Sequence, residues 1–230
     1  MRKYLILFTF LLLVSCQNYG QLKVIADLPK ALNEVSGIQV MPNSKLIWML
    51  NDSGNSPTLF GISEKGKIKK RIKINAKNND WEDLTTDKKG NVYIADFGNN
   101  MNSRKNLVIL KVKHSNLSSK NAEVERIQFS YPNQNKFPPK KKKRFFDAES
   151  LLYANGYLYI FTKSRVKHKY GKTSLFRVPA KAGKHTAELI SSFEVCSDLH
   201  CWITAATISP DGKKVVLLNH QSVFVFTNFK

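Results

Sequence analysis

Carboxylates recur in pairs spaced two residues apart, Asp80 with Glu82 and Asp147 with Glu149. On an extended chain such pairs project from one face, where one of two neighbouring carboxyls keeps its proton and can act as acid or base. Glu34, Asp52, Asp96, Asn99 and Asn100 add hard oxygens at related positions. Six to eight oxygens at about 2.3–2.6 Å are what Ca²⁺ requires, and an ion is one remedy for the repulsion among clustered acids. The same residue types also occupy turns and strand ends, where they accept backbone N–H groups, so both uses stay open. Arg104 and Lys163 either hold an anionic substrate beside the acids or neutralise them. A nucleophile is missing from the pattern. Ser53 and Ser150 lack a Gly-x-Ser-x-Gly context, and none of His114, His168, His185, His200 or His220 is spaced to serve as their base. No catalytic residue is nominated.

The compartment limits what these residues meet. Arg2 and Lys3 precede an apolar run from Tyr4 to Val14, and Ser15 stands directly before Cys16, the order of a secretory signal over residues 1–15. Eleven helical residues reach only about 16 Å, roughly half of a bilayer core, so this is no membrane span. Leu13-Val14-Ser15-Cys16 resembles a lipobox. The resemblance implies acylation of Cys16, a diacyl or triacyl anchor and a short linker over residues 16–21. Gln17 in place of Asp favours the outer membrane. Without Arg2 and Lys3 the formal charge falls from +20 to +18 over the 215 residues from Cys16 to Lys230. In an exported protein that charge meets anionic lipid, phosphate and acidic glycan, and nucleic acid is excluded as a partner. The run 136–144 carries six of the positive charges on a loop with two prolines, and is expected to contact anionic lipid or glycan. An oxidising compartment favours a disulfide between Cys196 and Cys201. Zinc with His200 and His220, or free thiols, are the alternatives.

The elements that must position the acids repeat. Glu34-Val-Ser-Gly-Ile-Gln-Val, Asp80-Trp-Glu-Asp-Leu-Thr-Thr, Asp147-Ala-Glu-Ser-Leu-Leu-Tyr and Thr204-Ala-Ala-Thr-Ile-Ser align, with starts 46, 67 and 57 residues apart. Ser36, Glu82, Glu149 and Ala206 occupy the second position after each start, and Ile38, Leu84, Leu151 and Ile208 the fourth, the period of a strand. Each segment runs into a turn rich in Asn, Gly, Asp and Lys, and then into a β-branched and aromatic run, at Leu46-Ile-Trp-Met-Leu, Val92-Tyr-Ile-Ala, Leu158-Tyr-Ile-Phe-Thr and Val215-Val-Leu-Leu. Third strands are expected at 58–62, 107–112, 174–178 and 223–226, and outer strands at 69–74 and 124–131. Such hairpin-built sheets of three or four strands are propeller blades, so the fold is all-β with about four visible blades over residues 22–230.

Glu34-Val-Ser-Gly-Ile, Asn51-Asp-Ser-Gly, Asp80-Trp-Glu-Asp-Leu, Asp96-Phe-Gly-Asn-Asn with Arg104, Asp147-Ala-Glu-Ser, Thr162-Lys163 and Ile208-Ser-Pro-Asp-Gly together resemble an uncharacterised bacterial propeller family. That family is similar to phytase-like and paraoxonase or gluconolactonase-like propellers. The resemblance implies a central calcium that polarises a phosphate or lactone oxygen. The resembled folds close with five or six blades, so this ring is expected to be incomplete, open, or closed by a partner or by an early strand at 22–26. Two functions follow as expectations: a lipid-anchored envelope module that binds a ligand or partner, or a calcium-assisted hydrolase of phosphoesters, esters or lactones.

Overall fold

The computed structural model describes residues 23–41, 44–196, 198–227 and 229. The signal segment, Cys16, the linker and Leu22 lie outside them. Strand-forming runs alternate with turns whose backbone demands small or polar residues. In Ala154-Asn155-Gly156-Tyr157, Asn155 and Gly156 take φ of 50° and 84°, the left-handed pair of a two-residue hairpin. Seventeen strands result, with only short 3-10 turns between them among the described residues.

The strands form four mostly antiparallel sheets in a four-bladed propeller arrangement. Blade 1 orders β1 (Val35–Val40), β2 (Ile47–Asn51), β3 (Thr58–Ile62) and β4 (Ile68–Ile74) from the inside outward. Blade 2 repeats this with β5 (Trp81–Thr86), β6 (Val92–Asp96), β7 (Val108–Val112) and β9 (Val124–Ser130). Blade 3 has β10 (Asp147–Ala154), β11 (Tyr157–Lys163), β12 (Lys172–Pro179) and β14 (Glu188–Glu194). Blade 4 has β15 (Ala205–Ile208), β16 (Lys214–Leu218) and β17 (Val223–Thr227). The four aligned segments are the four inner strands, which lie side by side: β1 on β5, β5 on β10, and β10 on β15.

The core is divided into layers between blades. Trp48, Leu50 and Leu59 of blade 1 pack on Leu84, Ile94 and Leu110 of blade 2. Ile109 and Phe129 meet Leu158 and Phe176 between blades 2 and 3, and Tyr159 and Leu175 meet Val215 and Leu217 between blades 3 and 4. Each fully buried Leu or Ile contributes about 1.5–3 kcal/mol of transfer free energy, so these layers carry the fold. Gly37 lets β1 approach β5: a Cβ there would lie 2.7 Å from Leu84 Cδ2 and 2.9 Å from Asp83 Cα.

Two short strands tie blades together at the rim. β8 (Asn121–Ala122), in the connection from β7 to β9, pairs in parallel with β4 of the preceding blade. β13 (Gly183–Thr186), in the connection from β12 to β14, does the same to β9. Each strap ends on a buried alanine, Ala122 or Ala187, whose backbone bonds the neighbouring blade at 2.9 Å (Asn75 N–H to Ala122 O, Ala187 N–H to Ser130 O). The β3–β4 connection of blade 1 is instead a tight turn closed by Ser63 and Lys67.

The end faces remain apolar and open. Ile38 and Val40 on blade 1 are 57% and 61% exposed, and Val223 and Val225 on blade 4 are 62% and 58% exposed, so blades 1 and 4 do not seal against each other. Of the early strand expected at 22–26, the described residues 23–26 show no strand pairing. Residues 23–29 run without strand pairing, with Asp27 O against Gly66 in the β3–β4 turn, and the 3-10 turn Lys30–Leu32 lays Leu32 on Met49, Phe60 and Ile62. Segment 23–33 therefore covers part of blade 1 rather than closing the ring.

Candidate functional site: an acidic mouth set by three bulges

In the first three inner strands the pairing slips at the same place. The register breaks between Val35 and Gly37, between Trp81 and Asp83, and between Ala148 and Ser150. The unpaired residues are Ser36, Glu82 and Glu149, the second position of the aligned segments. A bulge frees one residue from the ladder and re-aims its side chain. The residues that follow turn inward: Asp83 and Ser150 are buried. Blade 4 pairs Ala205 to Ile208 without a break and carries no acid there.

Asp52, Asp80 and Glu82 place one carboxylate oxygen each within 4.8 Å of one another. They come from the end of β2, the entrance of β5 and its bulge. Gly98 makes room for them, because a Cβ there would collide with Glu82 Oε1 and the Asp80 carboxylate. Burial raises the Asp80 carboxyl above its ordinary value, opposed by a hydrogen bond from Ser53. Glu82 is pushed up to about 9, first by burial and then by the negative charges of Glu149, Asp80, Asp52 and Asp147. That ordering shows acids of three blades acting on one group. Glu82 keeps its proton near neutrality unless a cation takes its place.

The other nominated residues are engaged elsewhere. Asp96 is buried, accepts Arg104 Nη2 at 2.8 Å and Asn79 Nδ2 at 2.6 Å, and pins the loop after β6. Arg104 also donates to Gly98 O at 2.8 Å, so it holds the glycine that makes room for the trio. Asn99 donates its N–H to Asp147 Oδ1 at 2.8 Å and accepts Arg104 N–H at 2.9 Å, linking blades 2 and 3, while Asn100 is exposed. Asp147 accepts Arg165 Nε at 2.6 Å. Glu149 is bonded by Lys163, with Arg165 Nη2 at 3.6 Å. Glu34 is exposed and bonded by Asn55. Three of the nine nominated oxygen donors thus gather, and Arg104 and Lys163 neutralise acids.

Three further residues shape the mouth. Arg165 joins Asp147 to Glu149, and Trp202 lies under both Lys163 and Arg165, whose charges sit 4.9 and 5.0 Å from its ring centre, while its indole N–H donates to Ser164 O. Asp83 accepts the N–H groups of Leu84 and, across the blade junction, Leu151, both at 2.8 Å. Beside Trp202, Cys196 and Cys201 form a disulfide with Cα atoms 5.5 Å apart, which removes the thiolates a zinc site with His200 and His220 would need. The basic run 136–144 is tied at its base by Gln134 Nε2 to Asn102 O (2.9 Å) and by Phe146 N–H to Asn102 Oδ1 (2.8 Å), leaving Lys140 to Lys143 exposed.

A calcium ion fits the trio on its chemistry. Metal–oxygen distances near 2.5 Å put two ligands of one ion at most about 5 Å apart, which the 4.8 Å spread satisfies. The donors are all hard carboxylates, and two of them occupy the space that a side chain at position 98 would fill.

No family model matches the chain, and no curated protein matches it in sequence. The chain is similar in structure to Kuenenia stuttgartiensis hydrazine synthase, with TM-score 0.47, 14% identity, and coverage of 90% of this chain and 49% of that one. A catalytically inactive virginiamycin B lyase from Staphylococcus aureus solved with quinupristin gives TM-score 0.40 and 13% identity over 84% of this chain and 55% of that one. A chain of a nidogen/laminin complex gives 0.44 and 10% over 84% and 60%. These neighbours are β-propeller proteins, and the chain spans between 49% and 60% of their lengths.

Proposed function

We propose that the protein is a ligand-binding propeller of the cell envelope, held by acyl chains on Cys16, whose mouth takes a calcium ion between Asp52, Asp80 and Glu82. The single observation that carries this reading is the approach of those three carboxylates within 4.8 Å beside a residue without a side chain. The ion would offset the burial and the repulsion that now raise Glu82, and its open coordination positions would accept oxygens of a ligand or partner. Titration calorimetry of Ca²⁺ into the purified protein is the test. One saturable site is expected, weakened about tenfold or more in Asp80→Asn and Asp52→Asn, since each removes a charged ligand. Absence of saturable heat, or heat unchanged in both variants, sinks the proposal.

The calcium-assisted hydrolase of phosphoesters, esters or lactones is the second reading. It is favoured by a carboxyl that holds its proton up to about 9 and would serve as general acid. The two readings need Glu82 in different states, ionised as a ligand and protonated as an acid. Turnover of a phosphoester or lactone panel that is lost in Glu82→Gln would favour the hydrolase, and no turnover across the panel would retire it.

A further inference from the structure

A different chemistry gathers at the opposite end of blade 1, on its outer strand. Lys69, Lys70 and Arg71 of β4 face Ser118, Ser119 and Lys120, the residues that lead into the β8 strap, across a groove of about 210 Å³ with Ile72 at its base. The three lysines, the arginine and both serines are exposed. Among the described residues none of these four cations belongs to an ion pair, whereas Lys111, Lys113, Lys163, Arg104, Arg165 and Arg177 each have a carboxylate partner.

The groove is partly organised already. Lys70 Nζ donates to Leu117 O at 3.2 Å, which holds one ammonium against the wall. Lys73 N–H donates to Lys120 O at 2.9 Å across the β4–β8 pairing. Two-residue alternation then puts the Arg71 N–H on the same edge of β4, where the strap has not yet begun to pair. Ammonium, hydroxyl and backbone donors line the groove with no acid among them, while the Arg71 guanidinium lies at its edge, 5.8 Å from the Phe60 ring centre. Four like charges around one concavity repel each other, and an anion with oxygens on several sides relieves that repulsion while accepting charge-assisted bonds. A carboxylate offers two oxygens in one plane; a phosphate offers three or four in a tetrahedron, which matches donors on two walls and an edge.

We propose that this groove binds a phosphate group, carried either by a soluble phosphoester or by a lipid headgroup. The site is separate from the acidic mouth, which is built on inner strands, and from the 136–144 loop.

The test titrates inorganic phosphate into the protein in a phosphate-free buffer at about 0.15 M salt, where the Debye length is about 8 Å, by calorimetry. A single saturable site is expected. The double variant Lys69→Ala, Lys120→Ala should weaken it about tenfold or more, as loss of two charge-assisted bonds requires. The double variant Lys140→Ala, Lys142→Ala removes the same charge from the basic loop and should change affinity less than about twofold, because exposed charges beyond a Debye length are screened. Melting temperatures check that each variant is folded, and Lys69→Gln with Lys120→Gln replaces the alanine pair should it fail to fold. No saturable binding, or equal weakening by the loop variant, overturns the proposal. Co-sedimentation with vesicles containing phosphatidylglycerol separates the sources. Vesicle binding lost in the groove variant identifies a headgroup, and vesicle binding retained while phosphate binding is lost identifies a soluble phosphoester.

Discussion

Glu82 ties the chemistry of the mouth to pH. Its carboxyl holds a proton up to about 9 in the folded protein, against an ordinary value of 4.5 in the unfolded chain. Between those values the folded state binds the extra proton, so stability is greatest at the acid end and falls as pH rises toward 9. Chemical denaturation in chelator at several pH values should show this decline, with a shallower slope in Glu82→Gln. Ca²⁺ affinity should run the other way and strengthen with pH, since the ion must displace that proton. Gly98→Ala is the sharpest single-atom probe: its backbone does not require glycine by a positive φ, yet the added methyl collides with two of the three carboxylates. Ca²⁺ binding should fall about tenfold or more while the melting temperature moves little. Asp52, Asp80 and Glu82 were legible in the sequence because acids at repeated strand positions must converge in any radial arrangement. Neutralisation by Lys163 was one of the two readings open from the sequence, but the part of Arg165 was not legible, because it lies just past β11 and reaches Asp147 and Glu149 from there, and no spacing rule for acids contains the cation opposite.

At the scale of elements, the inner strands were readable because their turns and β-branched runs recur with each blade. The bulges were not, since a residue withdrawn from the ladder leaves the local two-residue pattern of Trp81-Glu-Asp-Leu looking regular. The consequence falls on the next residue. Asp83 turns into the blade junction and accepts the Leu151 N–H of the following inner strand. Asp83→Ala should leave that buried donor without a partner and cost about 1–3 kcal/mol in denaturant unfolding. Recovery of the loss by Asp83→Asn, which keeps one acceptor, would mark the bond and not the charge as the stabilising part. The straps escaped the sequence for a different reason: two residues, Asn121 and Ala122, are too few for a periodic signal, and their partner strand lies in another blade. In hindsight Ala122-Glu-Val and Ala187-Glu-Leu carry the signal, a small residue followed by an acid and an aliphatic before each fourth strand.

Over the whole molecule the blades are not held alike. Blades 1 and 2, and blades 2 and 3, share both a packed layer and a strap; blade 4 shares a packed layer with blade 3 and leaves Val223 and Val225 in water. Hydrogen exchange should therefore find the amides of β15 to β17 opening at lower free energy than those of β5 to β7, and equal protection in the two groups would refute this ranking. The straps also decide how the molecule answers to force. A parallel strap loaded along its length must break its bonds together, in shear, while an unstrapped sheet peels from its neighbour bond by bond. Tension entering through β17 should release blade 4 in a small early step and then stall at the junction that β13 rivets. Held at blade 1 and pulled through β17, the molecule would thus yield at one blade and keep the acidic mouth, which blades 1 to 3 enclose, intact under load.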